Sequence, residues 1–163
     1  YNDVDRSASA NLATAEKDLM AYLQDGGKVM LASMAAIGSG SALRDSLWPE
    51  VFGADSLYLR NGSTNFDCKN WALRGNAAVG LDSLKVGGIW SGVECMLPSS
   101  TATPLYYIVP GTVNSQQTEN YYLALLNTWH TGETALITFP LSRSDRYGNA
   151  LTEYCKIIGL LLL

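Results

Sequence analysis

Thr14 to Ser33, TAEKDLMAYLQDGGKVMLAS, decides how this chain reads, because it joins a helix signal, a stop and a strand signal in that order. Ala15, Leu19, Tyr22 and Leu23 recur at i, i+4, i+7 and i+8, which gathers them on one helix face, while Glu16, Lys17 and Gln24 take the other. Thr14 is placed to cap the helix, and Gly26 or Gly27 supplies the left-handed residue that ends it. Lys28 to Ser33 is then apolar without alternation. A strand of that kind is covered on both faces, as in a parallel sheet flanked by helices, so the helix is expected to be a crossover.

Beyond Ser33 the small residues Ala35 to Gly40 read as a loop, with Ser41 as cap of a short helix that Pro49 closes soon after Trp48. Phe52-Gly53-Ala54 turns the chain into Ser56 to Arg60, which alternates like a half-exposed strand. Trp71 to Arg74, Ile89 to Met96 and Leu105 to Val109 are short segments between Gly, Asn, Pro and Ser signals, so antiparallel strands inserted on an α/β core are expected there. Asn120 to Trp129 fits strand or helix. The turn-like Trp129 to Glu133 favours a strand in a hairpin with Thr134 to Phe139, which Pro140 ends. Ala150 to Leu161 closes the chain as a helix with Leu151, Tyr154, Ile157, Ile158 and Leu161 at helical spacing.

The 163 residues suit one domain that buries roughly 70% of its unfolded surface. A hydrophobic share of 47% with 16% charged residues excludes a disordered tail or a coiled coil. A net charge of −4 with singly scattered Lys and Arg argues against nucleic acid as a partner. No apolar run approaches the ~18 residues of a membrane span. Cys68, Cys95 and Cys155 have no CxxC spacing and the sequence has a single His, so no metal or other cofactor is expected; ordinary thiols, or one disulfide in an exported protein, account for them. The chain opens on Tyr1-Asn2-Asp3 without an initiator Met, as a piece of a longer polypeptide would.

Four segments also carry a family likeness: Tyr1 to Arg6, which looks like a strand end followed by acidic residues; Thr14 to Ser33; Phe52-Gly53-Ala54; and Thr138-Phe139-Pro140-Leu141. On them the chain resembles the class I glutamine amidotransferase-like superfamily, in the divergent form found as accessory domains of larger, often exported bacterial proteins. The resemblance implies an α/β, flavodoxin-like three-layer sandwich with a mostly parallel sheet, a single domain over 1–163 with its first strands upstream, and an extracellular or periplasmic location. Enzymes of that superfamily carry a catalytic Cys just after the strand equivalent to Lys28 to Ala32. Here that place reads Leu31-Ala32-Ser33-Met34-Ala35, and Phe139 to Arg143 lacks the accompanying His-x-Glu, so no enzyme is expected.

Ser33 is the weak candidate nucleophile, at the strand end where hydrolases mount one, but its base would have to be His130, read as part of a remote turn. Asp3, Asp5 and Arg6 cluster at the same carboxyl edge, either as a salt-bridged loop or, with Ser33, as a ligand-binding group. Gly38-Ser39-Gly40-Ser41 lacks the Lys of a phosphate-binding loop. Trp48, Trp71, Trp90 and Trp129 with nine Tyr serve packing or the binding of sugar or peptide. The reading favoured is a non-catalytic binding or scaffolding domain of a larger exported bacterial protein, partnered by neighbouring domains or a like subunit. The alternatives are a serine hydrolase using Ser33 and a carbohydrate-binding module using exposed Trp residues.

Overall fold

The computed structural model describes residues 2–3, 15–33, 47–58, 65–69, 72–85, 89–113, 117–139 and 149–163, with backbone alone for 2–3, 65–69 and 89–92. Along the chain run β1 (Asn2–Asp3), α1 (Glu16–Gln24), β2 (Lys28–Ser33), α2 (Leu47–Glu50), β3 (Ala54–Leu57), β4 (Asn65–Lys69), β5 (Ala72–Gly75) and β6 (Leu84–Lys85). They are followed by β7 (Ile89–Glu94), β8 (Met96–Pro98), β9 (Thr103–Ile108), β10 (Tyr121–Trp129), β11 (Gly132–Ile137) and α3 (Ala150–Leu162).

The helix, stop and strand of the opening stretch form, with Ala15 rather than Thr14 at the N-cap position and no side-chain cap, and α1 does cross between parallel strands, with Asn2 opposite Ala32 and Asp3 opposite Ser33. Gly26 has a φ of +85°, and a Cβ on Gly27 would lie 2.4 Å from the Tyr22 ring and carbonyl, so the helix ends where only glycine fits. The face α1 buries is Leu23, fully covered, with Leu19 and Met20 partly so. Ala15 and Tyr22 stay exposed, so the apolar face is rotated from the one expected.

The principal sheet runs β1-β2-β11-β10-β9-β5-β6. Only β1, β2 and β11 are mutually parallel. From the β10–β11 hairpin onward every pair is antiparallel, as are β3 with β8 and the separate pair β4 and β7. Where β11 ends, β8 takes over the same edge of β10, Met96 standing opposite Tyr122, and β3 joins beyond it. The sheet is curled and mixed, which overturns the expected flavodoxin-like, mostly parallel three-layer sandwich. The physical reason is that an unbroken apolar run reports coverage on both faces, not strand direction. The antiparallel β10 carries such a run in Leu123 to Leu125, all buried.

Alternation along β2 and β11 divides the core. Val29, Leu31 and Leu136 join Leu23, Trp48 and Phe52 beneath α1 and α2, while Met30, Ala32, Ala135 and Ile137 join Ile157 and Leu161 beneath α3. Each fully buried Leu, Ile or Phe contributes about 1.5–3 kcal/mol by leaving water. The closing helix forms, but it buries Ala150, Glu153, Ile157 and Leu161, whereas Leu151 is 71% exposed, contrary to the face expected.

Candidate functional site

Three parallel strand ends meet at the carboxyl edge, where open α/β sheets bind ligands. Asp3 stands opposite Ser33, and because Ile137 is opposite Ala32, Thr138 emerges beside Ser33. Thr138 is fully buried and its hydroxyl faces the carbonyls of Glu94 and Leu123, which closes the junction at which β8 replaces β11 on β10. Glu94 and Cys95 are fully buried there and Ser33 is 8% exposed. Thus Asp3 and Ser33 are brought together in register, whereas Asp5, Arg6 and the Gly38 to Ser41 loop lie outside the described residues. His130 is not brought to Ser33. It sits in the two-residue loop before Gly132, at the end of the sheet where Lys28 pairs with Glu133, five residues or about 16 Å of strand from Ser33. Without that imidazole within hydrogen-bond reach, the pair cannot act as nucleophile and base.

A second polar group lies under α3. Glu153, 1% exposed, accepts from the Tyr106 hydroxyl at 2.8 Å, from the Asp82 backbone N–H at 2.8 Å and from Lys156 at 2.7 Å. Lys156 also reaches Asp82 at 2.9 Å. Burial first, then the hydrogen bond to Glu153 and its charge, push the Tyr106 phenol far above its usual range. These bonds fasten α3 to β9 and to the turn before β6. Sequence reading passed over Glu153, although Ala150, Glu153, Ile157 and Leu161 follow helical spacing as closely as the face it chose. A third group, Asn127 and Thr134, docks α2 through the carbonyls of Glu50 and Val51.

The tyrosine doublets place one ring on each side of the sheet. Tyr106 is buried edge-on to Phe139, at 5.8 Å between centroids, while its neighbour Tyr107 faces outward. Across the strands Arg74, Tyr107 and Tyr122 stand directly opposite one another, and Met96 and Leu57 continue the row towards α2. The rings of Tyr107 and Tyr122 are 5.9 Å apart. Of the tryptophans, Trp48 is buried against Phe52 and Trp129 lies edge-on to His130. Trp71 and the Trp90 side chain lie outside the described residues. Cys95 is buried and Cys155 is a free, exposed thiol. Among the described residues no group of three His, Cys, Asp or Glu is placed to hold a metal, and no helix is long and apolar enough to cross a membrane.

No protein-family model and no curated protein matches the chain. Solved structures do. A cytoplasmic protein of Salmonella typhimurium aligns at 12% identity over 90% of this chain and 60% of its own, with a TM-score of 0.59. A second, from Salmonella typhimurium LT2, aligns at 11% identity over 98% of this chain and 62% of its own, with a TM-score of 0.55. A β-galactosidase of the Antarctic haloarchaeon Halorubrum lacusprofundi aligns at 13% identity over 91% of this chain and 20% of its own, at 0.56. The chain therefore spans about 60% of the two Salmonella proteins and a fifth of the galactosidase. At such identities the likeness is one of fold. The flavodoxin-like expectation falls with the sheet topology, and its amidotransferase and secretion parts find no support in these proteins and are not carried forward.

Proposed function

We propose that this chain is a non-catalytic binding and scaffolding module of a larger polypeptide, seated against a neighbouring domain by the outer face of α3. The observation that carries the reading is the character of that face. Leu151 and Leu162 are 71% and 70% exposed, Cys155 and Gly159 are exposed between them, and both charged groups of the helix, Glu153 and Lys156, are engaged with each other beside Asp82. A helix apolar on its outer as well as its inner side is one that is covered.

Size argues for a covalently linked neighbour rather than a free partner. A helix of 13 residues is about 20 Å long, and one face of it falls well short of the ~800 Å² per partner of a stable independent interface. A tethered domain meets it at an effective concentration in the millimolar range and needs far less area. The likeness to a fifth of a galactosidase chain supports the same reading, since a comparable fold there is one part of a longer polypeptide. Hydrolysis through Ser33 has less support, because the single histidine lies at the opposite end of the sheet.

Cys155 reports on the face directly. Maleimide labelling of the isolated 163-residue chain is expected to be fast, and labelling of the native polypeptide slower by about an order of magnitude. Equal rates in the two would overturn the proposal.

A further inference from the structure

We propose that the row Arg74, Tyr107 and Tyr122, on the open side of the sheet away from α3, binds an acidic saccharide, with the tyrosine rings stacking on sugar rings and Arg74 pairing with a uronate carboxylate. The site is independent of whatever covers α3. Register fixes the row: Arg74 on β5 is opposite Tyr107 on β9, which is opposite Tyr122 on β10. The three positions span two strand spacings, about 10 Å, the reach of a short run of linked sugar rings.

Among the described residues the Arg74 guanidinium and the Tyr107 and Tyr122 hydroxyls make no hydrogen bond or ion pair. That contrasts with Tyr106 and Tyr58, whose hydroxyls are bound to Glu153 and Glu119. Arg74 is exposed and Tyr107 half-exposed, while Tyr122 is anchored on the core beneath α2. The platform is thus rigid at one end and open at the other, with Lys85 on the same side, diagonal to Arg74 across the β5–β6 pair.

Charge and topology select the ligand class. The solvent-facing Arg74 guanidinium favours an anionic group at that point despite the chain's net negative charge, and its planar fork matches a carboxylate. An extended peptide would need a free sheet edge, but β9 and β10 each have neighbours on both sides. A helical peptide would need an apolar groove, and this row is polar at its open end. Nucleic acid needs the clustered cations that the sequence lacks. Sugar rings, which present apolar faces to phenols and hydroxyls to their rims, are what remains.

The test is a titration of the isolated chain with oligogalacturonate, read by the tyrosine ring resonances, beside a neutral oligogalactose and an oligoglutamate. Saturable binding of the uronate alone is expected, weakened about tenfold by Arg74→Ala or by Tyr107→Ala and relieved by salt. Both side chains lie outside the core, so unchanged thermal midpoints will certify the variants as folded. Absence of uronate binding to the parent chain, equal binding of oligoglutamate, or affinity unmoved by either variant would each overturn the proposal.

Discussion

The carboxylate of Glu153 accepts the hydroxyl proton of Tyr106 at 2.8 Å, 47 residues apart in the chain and both out of reach of water. That contact ties the closing helix to the middle of the antiparallel sheet. Because the same oxygen also takes the Asp82 N–H, removing the carboxylate strands two donors at once. Glu153→Ala is expected to cost about 2–4 kcal/mol, and Tyr106→Phe, which removes only one donor, about 1–2 kcal/mol. Urea midpoints measure both. Equal effects, or a Glu153→Ala loss under ~0.5 kcal/mol, would show that the network does not hold α3.

Alkali tests the same contact by a different route. The folded-state pKa of Tyr106 is raised, chiefly by burial and then by Glu153, so above the ordinary phenol value of about 10 the unfolded chain loses a proton that the folded chain keeps. Stability linked to Tyr106 is therefore complete below about pH 10 and falls as pH rises beyond it. Tyr58 moves in the same direction, through desolvation and its bond to Glu119, but its partner is exposed and the effect is smaller. Unfolding curves across the alkaline range should steepen their decline for the parent chain and flatten it for Tyr106→Phe. A decline identical in both would contradict the assignment.

His130 is the one described non-glycine residue with positive φ, at 54°, in the loop that joins β10 to β11. An L side chain pays conformational strain there, and glycine does not. His130→Gly is expected to raise stability by about 0.5–1 kcal/mol, less what is lost with the edge-on contact to Trp129. A calorimetric melt lower than that of the parent would show that the ring contact outweighs the strain.

Ser33 should behave as an ordinary hydroxyl. A fluorophosphonate probe is expected to leave it unlabelled, as judged by intact mass. Labelling that disappears in Ser33→Ala would mean that a base reaches it from outside the described residues, and the hydrolase reading would return.

How much of this was legible in sequence follows from how local each signal is. The α1 crossover was readable because Gly26 and Gly27 mark a helix end within a few residues, and the β10–β11 hairpin because Trp129 to Glu133 is a turn by composition. The antiparallel direction of β9 and the β10–β11 hairpin was readable too, but not that these strands continue the principal sheet instead of being inserted on a mostly parallel core, since Leu123 to Leu125 look alike in either setting once both faces are covered. Glu153 was missed because a buried carboxylate depends on Tyr106 and the Asp82 N–H arriving from distant segments. The Tyr106-Tyr107 and Tyr121-Tyr122 doublets did hold a usable signal, for adjacent strand residues must face opposite ways. Tryptophan content was a poorer guide to exposed rings, since Trp48 is in the core.

The role proposed for α3 rests on Leu151 and Leu162, exposed here and expected to be covered by the neighbouring domain. Chemical denaturation of Leu151→Lys/Leu162→Lys, made both in the 163-residue chain and in the native polypeptide, separates the two situations. The account predicts a change within ~0.5 kcal/mol in the isolated chain and a loss of about 2–5 kcal/mol in the native polypeptide, where both side chains are buried. An equally small change in both would contradict it.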